Sequence, residues 1–127
     1  MNRHGRRSDA AERAAERRSR EDAAPRLKDR APDLVSLKLE VEESHDTVGA
    51  GEPKHVRHIV VERAPALFIL PCGDRSCEGG GYDITSPVLR ALEAHQERFT
   101  AEDRCHGTVG NASCGRSLRV IGTATYR

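Results

Sequence analysis

Four cysteines carry the most specific chemistry in this chain of 127 residues: Cys72, Cys77, Cys105 and Cys114. They fall into two pairs, Cys72-x4-Cys77 and Cys105-x8-Cys114, with 27 residues between the pairs. Both pairs lie in turn-forming, glycine-rich sequence, "PCGDRSCEGGG" over 71–81 and "CHGTVGNASCG" over 105–115. Thiolates gathered around one tetrahedral ion need turns that bring the sulfurs within about 4 Å of each other. Glycine permits the tightly packed backbone involved, and N–H groups exposed in such turns stabilise thiolate charge. The spacing therefore predicts a structural zinc ion held by Cys72, Cys77, Cys105 and Cys114. Four thiolates fill the coordination sphere and leave no water to activate, so no catalysis is expected at the metal.

Other chemistries compete for the same residues. Two disulfides would also staple a small domain, with three possible connectivities, but that chemistry belongs to an oxidising compartment. A reversible dithiol at Cys72-x4-Cys77 is a second alternative, although C-x-x-C is absent. Iron–sulfur ligation is a third, and it favours more apolar shielding than these turns offer. The wide second pair can be joined through a short hairpin with one ligand on each limb. His106, beside Cys105, is a candidate to replace one thiolate or a turn residue in solvent. As a nucleophile and base, Cys105 and His106 lack a third orienting group. Asp74 and Asp83 read as surface or capping carboxylates, with Asp83 able to hold the loop by accepting backbone N–H bonds.

The two cysteine-bearing turns resemble those of treble-clef and zinc-ribbon domains, in which two such turns clamp one zinc. The resemblance rests on Cys72, Cys77, Cys105 and Cys114 with their glycines, and the x4 and x8 spacings depart from the C-x-x-C knuckles of those families. It implies a metal-stapled fold that acts by binding nucleic acid or protein.

Other motifs carry less. "EGGGYD", 78–83, exposes backbone N–H groups but matches neither nucleotide-binding glycine pattern, and it reads as a connector. His55 and His58 lie three apart in an expected strand, an offset that sends them to opposite faces. His95 reads as a solvated helix residue. "NAS" at 111–113 has meaning as a glycosylation acceptor only in a secreted protein.

The elements that must position the cysteines follow from periodicity. "LVSLKLEVEE" puts Val35, Leu37, Leu39 and Val41 on one strand face and Ser36, Lys38, Glu40 and Glu42 on the other. A polar loop, 44–54, leads to a second strand over 55–64, read as its hairpin partner. "ALFILP", 66–71, is the best candidate for a central strand. A helix is predicted over 87–99, with Ser86 as N-cap, Pro87 at N1 and a stripe of Val88, Leu89, Leu92 and Phe99. "SLRVIGTATYR", 117–127, is a last strand, with Gly122 and Ala124 leaving room for the helix. The expected fold is α+β: a three- to four-stranded antiparallel or mixed sheet with one packed helix, stapled by the four-cysteine zinc site.

Charge divides the chain. Residues 1–33 carry an excess of Arg and Lys, and residues 34–127 a slight excess of Asp and Glu. The first segment, apolar almost only through alanine, is expected to be a disordered or transiently helical tail. The compact zinc-binding domain is expected over 34–127. Aromatics make up 3% of the chain, with no Trp, so the core is short of large side chains and gains from a metal staple. No apolar run is long enough to span a membrane, and residues 1–20 lack a signal-peptide core, so a cytoplasmic location is expected. The expected function is that of a non-catalytic protein-interaction module. Two alternatives stand beside it: a thiol redox protein or sensor, and a nucleic-acid accessory protein using its arginine-rich tail. A basic patch from Arg57, Arg63, Arg75, Arg116 and Arg119 would favour the last.

Overall fold

The computed structural model describes residues 3–45 and 54–127, with side chains from residue 11 onward. The chain is α+β. Its main sheet is antiparallel and runs β2-β1-β8-β5. The order is α1 (Arg3–Ala23), α2 (Leu27–Arg30), β1 (Leu34–His45), β2 (His55–Ile59), β3 (Ile69–Leu70), β4 (Tyr82–Asp83), α3 (Thr85–Glu93), β5 (Arg98–Arg104), β6 (Thr108–Val109), β7 (Ala112–Ser113) and β8 (Arg116–Tyr126).

The sheet is built on β1 and β8, which pair from Leu34↔Tyr126 to His45↔Arg116. Alternation buries Leu37, Leu39 and Val41 on one side and leaves Lys38, Glu40 and Glu42 toward solvent. A register shift between Leu34 and Ser36 breaks the phase at the start. It turns Val35 outward, contrary to the simple alternation, and buries Leu34 in its place. β2 pairs with β1 in antiparallel register as the hairpin reading expects. It ends at Ile59 rather than 64, because Arg63 and Ala64 donate backbone N–H bonds back to Val60 in a turn.

"ALFILP" is not a central strand. Only Ile69 and Leu70 pair, with Asp83 and Tyr82, in a separate two-stranded sheet. Phe68 and Leu70 are buried all the same, so the apolar run reports core membership rather than a place in the main sheet.

The helix is shorter than predicted and ends at Glu93, five residues short of Phe99. α3 begins after Ile84, and Asp83 Oδ1 accepts the Thr85 N–H at 3.0 Å, so Ser86 is not the cap. Its end is set by His95 in a left-handed conformation, φ 54°. The Gln96 N–H returns to the Ala91 carbonyl and the His95 N–H to Leu92, the Schellman closure usually built on glycine. The chain then reverses into β5, where Phe99 and Ala101 point inward. Phe99 pairs with Gly122 across the β5–β8 ladder, and its ring fills the place a Cβ on Gly122 would occupy. Gly122 thus makes room for a neighbouring strand's aromatic ring, not for the helix.

α3 packs on β5 and contributes Val88, Leu89, Ala91 and Leu92 to the core. The core also reaches upstream of Leu34. Leu27 is fully buried and Ala31 nearly so, anchored by Leu27 N–H to Ala64 O and Ala66 N–H to Pro25 O. Packed structure therefore begins ahead of the expected boundary, because the single turn of α2 offers one leucine to the core. α1 is a regular helix of 21 residues.

A candidate metal centre of four cysteines

The four cysteines arrive from three places. Cys72 follows β3, and Cys77 lies five residues on in the same loop. Cys105 follows β5 directly, and Cys114 follows β7, just ahead of β8. The β6–β7 hairpin stands between Cys105 and Cys114, with Thr108 paired to Ser113 and Val109 to Ala112. The x8 spacing is thus a hairpin with one cysteine on each limb.

Backbone bonds lock the two turns together. Glu78 and Thr108 exchange N–H···O bonds of 2.8 and 3.0 Å, joining the first cysteine loop to the hairpin. The Cys114 N–H reaches Gly107 O at 2.9 Å, and the Cys105 N–H reaches Arg116 O at 2.9 Å. Within the first loop, Asp74 Oδ1 accepts the Ser76 N–H at 2.8 Å, and its carbonyl accepts the Cys77 N–H at 3.1 Å. Asp74 shapes the turn and is not a ligand.

The result brings all four Sγ atoms within 4.8 Å of one another. Cys72 and Cys114 stand 3.7 Å apart, and Cys77 and Cys105 3.5 Å. None is in a disulfide. Zinc–sulfur bonds of about 2.3 Å in a tetrahedron place sulfurs about 3.8 Å apart, so the spacing matches a single tetrahedral ion. Cys77, Cys105 and Cys114 are buried, and Cys72 is half-buried. Gly80 and Gly107 press directly on the sulfurs: a Cβ on Gly80 would collide with Cys77 and Cys105 Sγ, and one on Gly107 with Cys77 Sγ. His106 is exposed and outside the cluster.

The thiols differ electrostatically. Burial pushes Cys72 up to about 11, with the Cys114 and Cys105 thiols adding and the Asp74 N–H opposing. Burial likewise pushes Cys77 up, reinforced by the Cys105 and Cys114 thiols. At Cys105 burial also disfavours the thiolate. It is outweighed by N–H bonds from Gly107 and Gly81 and by the neighbouring thiols, and the net shift is downward. The Gly81 N–H lies 3.4 Å from Cys105 Sγ. Without an ion, one thiolate is thus stabilised while Cys72 and Cys77 are held protonated; a divalent cation would supply the missing compensation.

Behind the sulfurs stands a polar anchor that periodicity did not single out. Glu43 Oε2 accepts from Gly73 N–H at 2.9 Å, Tyr82 O–H at 2.9 Å and Arg116 Nε at 3.2 Å. One carboxylate oxygen therefore holds the residue after Cys72, the strand β4, and the start of β8. His45 Nε2 lies 3.0 Å from the Cys114 carbonyl. The signal for these residues was present in the alternation: Glu43 and His45 continue the inward phase of Leu37, Leu39 and Val41. Arg116 likewise shares the phase of Leu118 and Val120. Arg116 is buried, so it does not belong to the surface basic patch expected of it.

No protein-family model, curated protein or solved structure matches this chain. Among the described residues, no helix is long and apolar enough to cross a membrane.

Proposed function

We propose that Cys72, Cys77, Cys105 and Cys114 hold one zinc ion as a structural staple, and that the protein is a small non-catalytic module acting by binding a protein partner. The observation that carries this reading is the cluster of four free thiols within 4.8 Å, at a spacing suited to a single ion. All-sulfur tetrahedral sites suit zinc or iron. An iron–sulfur cluster interposes its own sulfides and spreads its cysteines more widely than here. With four protein ligands the ion has no open position for water or substrate. What it supplies is cross-linking: β3, β5 and β8 meet at one point, in a chain poor in aromatics.

Native mass spectrometry and elemental analysis of protein purified without added metal test this directly. One zinc per chain, with four thiols titrating after denaturation, is the expected result. A chain without metal, lighter by about two or four mass units through lost thiol hydrogens, would replace zinc with disulfides.

A further inference from the structure

The four sulfurs are not equally open to solvent. Cys72 is half-buried, in a loop whose Pro71, Gly73, Arg75 and Ser76 are exposed. Cys77, Cys105 and Cys114 are only 8%, 5% and 3% exposed, and Gly80 lies directly against the Cys77 and Cys105 sulfurs. The sulfurs also divide into two contacts with no shared atom, Cys72 with Cys114 and Cys77 with Cys105. β1 holds both flanks of the first contact. Glu43 Oε2 accepts from the Gly73 N–H, next to Cys72, and from Arg116, two residues beyond Cys114. His45 Nε2 lies on the Cys114 carbonyl.

We propose that Cys72 is an oxidation site through which a peroxide unloads the metal centre, with Cys114 as the resolving thiol; this rests on the zinc reading of the cluster. Bound to an ion, all four sulfurs are thiolates, so access decides which one reacts. The Cys72 thiolate attacks a peroxide oxygen: the S–O bond forms, the O–O bond breaks, and hydroxide leaves and takes a proton to become water. The Cys114 thiolate then attacks the Cys72 sulfur: the S–S bond forms, the S–O bond breaks, and a second hydroxide leaves as water with a second proton. Two electrons pass from the two sulfurs to the peroxide. The pair closes from 3.7 Å to the about 2.05 Å of a disulfide, between flanks already tied to one carboxylate. Only Cys77 and Cys105 then remain as ligands, too few for a structural zinc site, and the ion leaves. The new bond joins the β3 loop to the start of β8, two of the segments the ion held together.

The test is limiting hydrogen peroxide on the full, reduced, zinc-loaded chain, read by native mass spectrometry and non-reducing tryptic mapping. Cleavage after Arg75 separates Cys72 from Cys77, and fragmentation distinguishes Cys114 from Cys105. Zinc should be lost in step with a Cys72–Cys114 disulfide, while Cys77 and Cys105 stay open to alkylation. With dimedone present, the sulfenic acid should be trapped on Cys72. A first disulfide of any other pairing overturns the proposal, as does a dimedone adduct on another cysteine. So does a chain that keeps its zinc and four thiols in excess peroxide. Zinc content before oxidant is added separates the two readings: a reduced chain that holds no zinc overturns the staple and this proposal with it, whereas the other failures leave the staple standing.

Discussion

The Glu43 carboxylate and the Arg116 guanidinium meet at 3.2 Å, with side chains only 13% and 9% exposed. A charge pair this far out of water is held by its surroundings as much as by mutual attraction. Here those surroundings are Tyr82 and the Gly73 N–H, both on the same oxygen as Arg116. Since Gly73 follows Cys72, and Arg116 stands two residues beyond Cys114, the pair fixes the frame on which the thiols sit.

Glu43→Ala should therefore cost about 3–5 kcal/mol in urea denaturation, because it breaks a buried ion pair by removing one partner. Replacing both, Glu43→Leu with Arg116→Met, should recover most of that loss. Metal retention should not recover with it. Outer-shell partners of metal ligands are typically worth 10–100-fold in affinity, and competition against a chromophoric chelator should show a deficit of about that size in the double variant.

Chelation should lower the thermal midpoint and open the cysteine turns. Metal binding to thiolates is coupled to folding, and the turns at 71–81 and 105–115 have little apolar packing of their own. Hydrogen exchange should accelerate there first, while the long β1–β8 ladder stays protected. Equal protection with and without metal would show that the ion contributes nothing to the fold.

The close approach at Gly80 makes a sharp comparison possible. Gly80→Ala puts a methyl on the sulfurs of Cys77 and Cys105, and it should abolish one-to-one metal loading. Gly79→Ala meets open space but has a left-handed backbone, φ 69°. It should cost only about 1–2 kcal/mol of stability and keep the metal.

Phe99 and Gly122 should behave as a coupled pair. Gly122→Val drives two methyls into the Phe99 ring and should cost about 1–3 kcal/mol or more. Phe99→Ala alone should cost about 3–5 kcal/mol. Together the two changes should cost clearly less than their sum, since the valine refills the space the ring leaves.

Metal-free protein should weaken in alkali. Burial raises the Cys72 thiol from 9.0 to about 11, and the Cys77 thiol and Tyr82 phenol shift the same way. Between these values the unfolded chain gives up protons that the folded chain keeps. The stabilisation is therefore complete below about pH 9 and is lost as the pH rises through about 11. Cys105, shifted downward, offsets part of this. Thermal midpoints in reducing buffer should fall over that range for the stripped protein. They should hold for the metal-loaded protein, whose thiolates are already ionised.

Periodicity read well where one local pattern had one outcome. The alternation from Leu37 to Val41 and from Leu118 to Ala124 marks strands with one buried face, and both are found. It misled where two patterns overlapped. Phe99 fits the helical stripe of Leu89 and Leu92 equally well, and only the left-handed turn at His95 reassigns it to β5. The run at 66–71 is apolar enough for a central strand, yet apolarity specifies burial and not a pairing partner. Charge pointed outward at Arg116, which the sequence reads as surface, while its phase with Leu118 and Val120 pointed inward; Glu43 carries the same conflict.

The amino-acid sequence by itself determined which residues can gather round a metal and that glycine-rich turns must present them. It also determined that the fold mixes strands with a short apolar-faced helix. These follow from side-chain chemistry and from repeats of two or about 3.6 residues, both local quantities. Only the tertiary structure decided that the four sulfurs converge, that Cys105 and Cys114 flank a hairpin, and that one carboxylate on β1 supports them. The closest sulfur pairs join residues 28 and 42 positions apart, and the ties from Glu43 span 30 to 73. They are set by strand register and close packing, which no local pattern encodes.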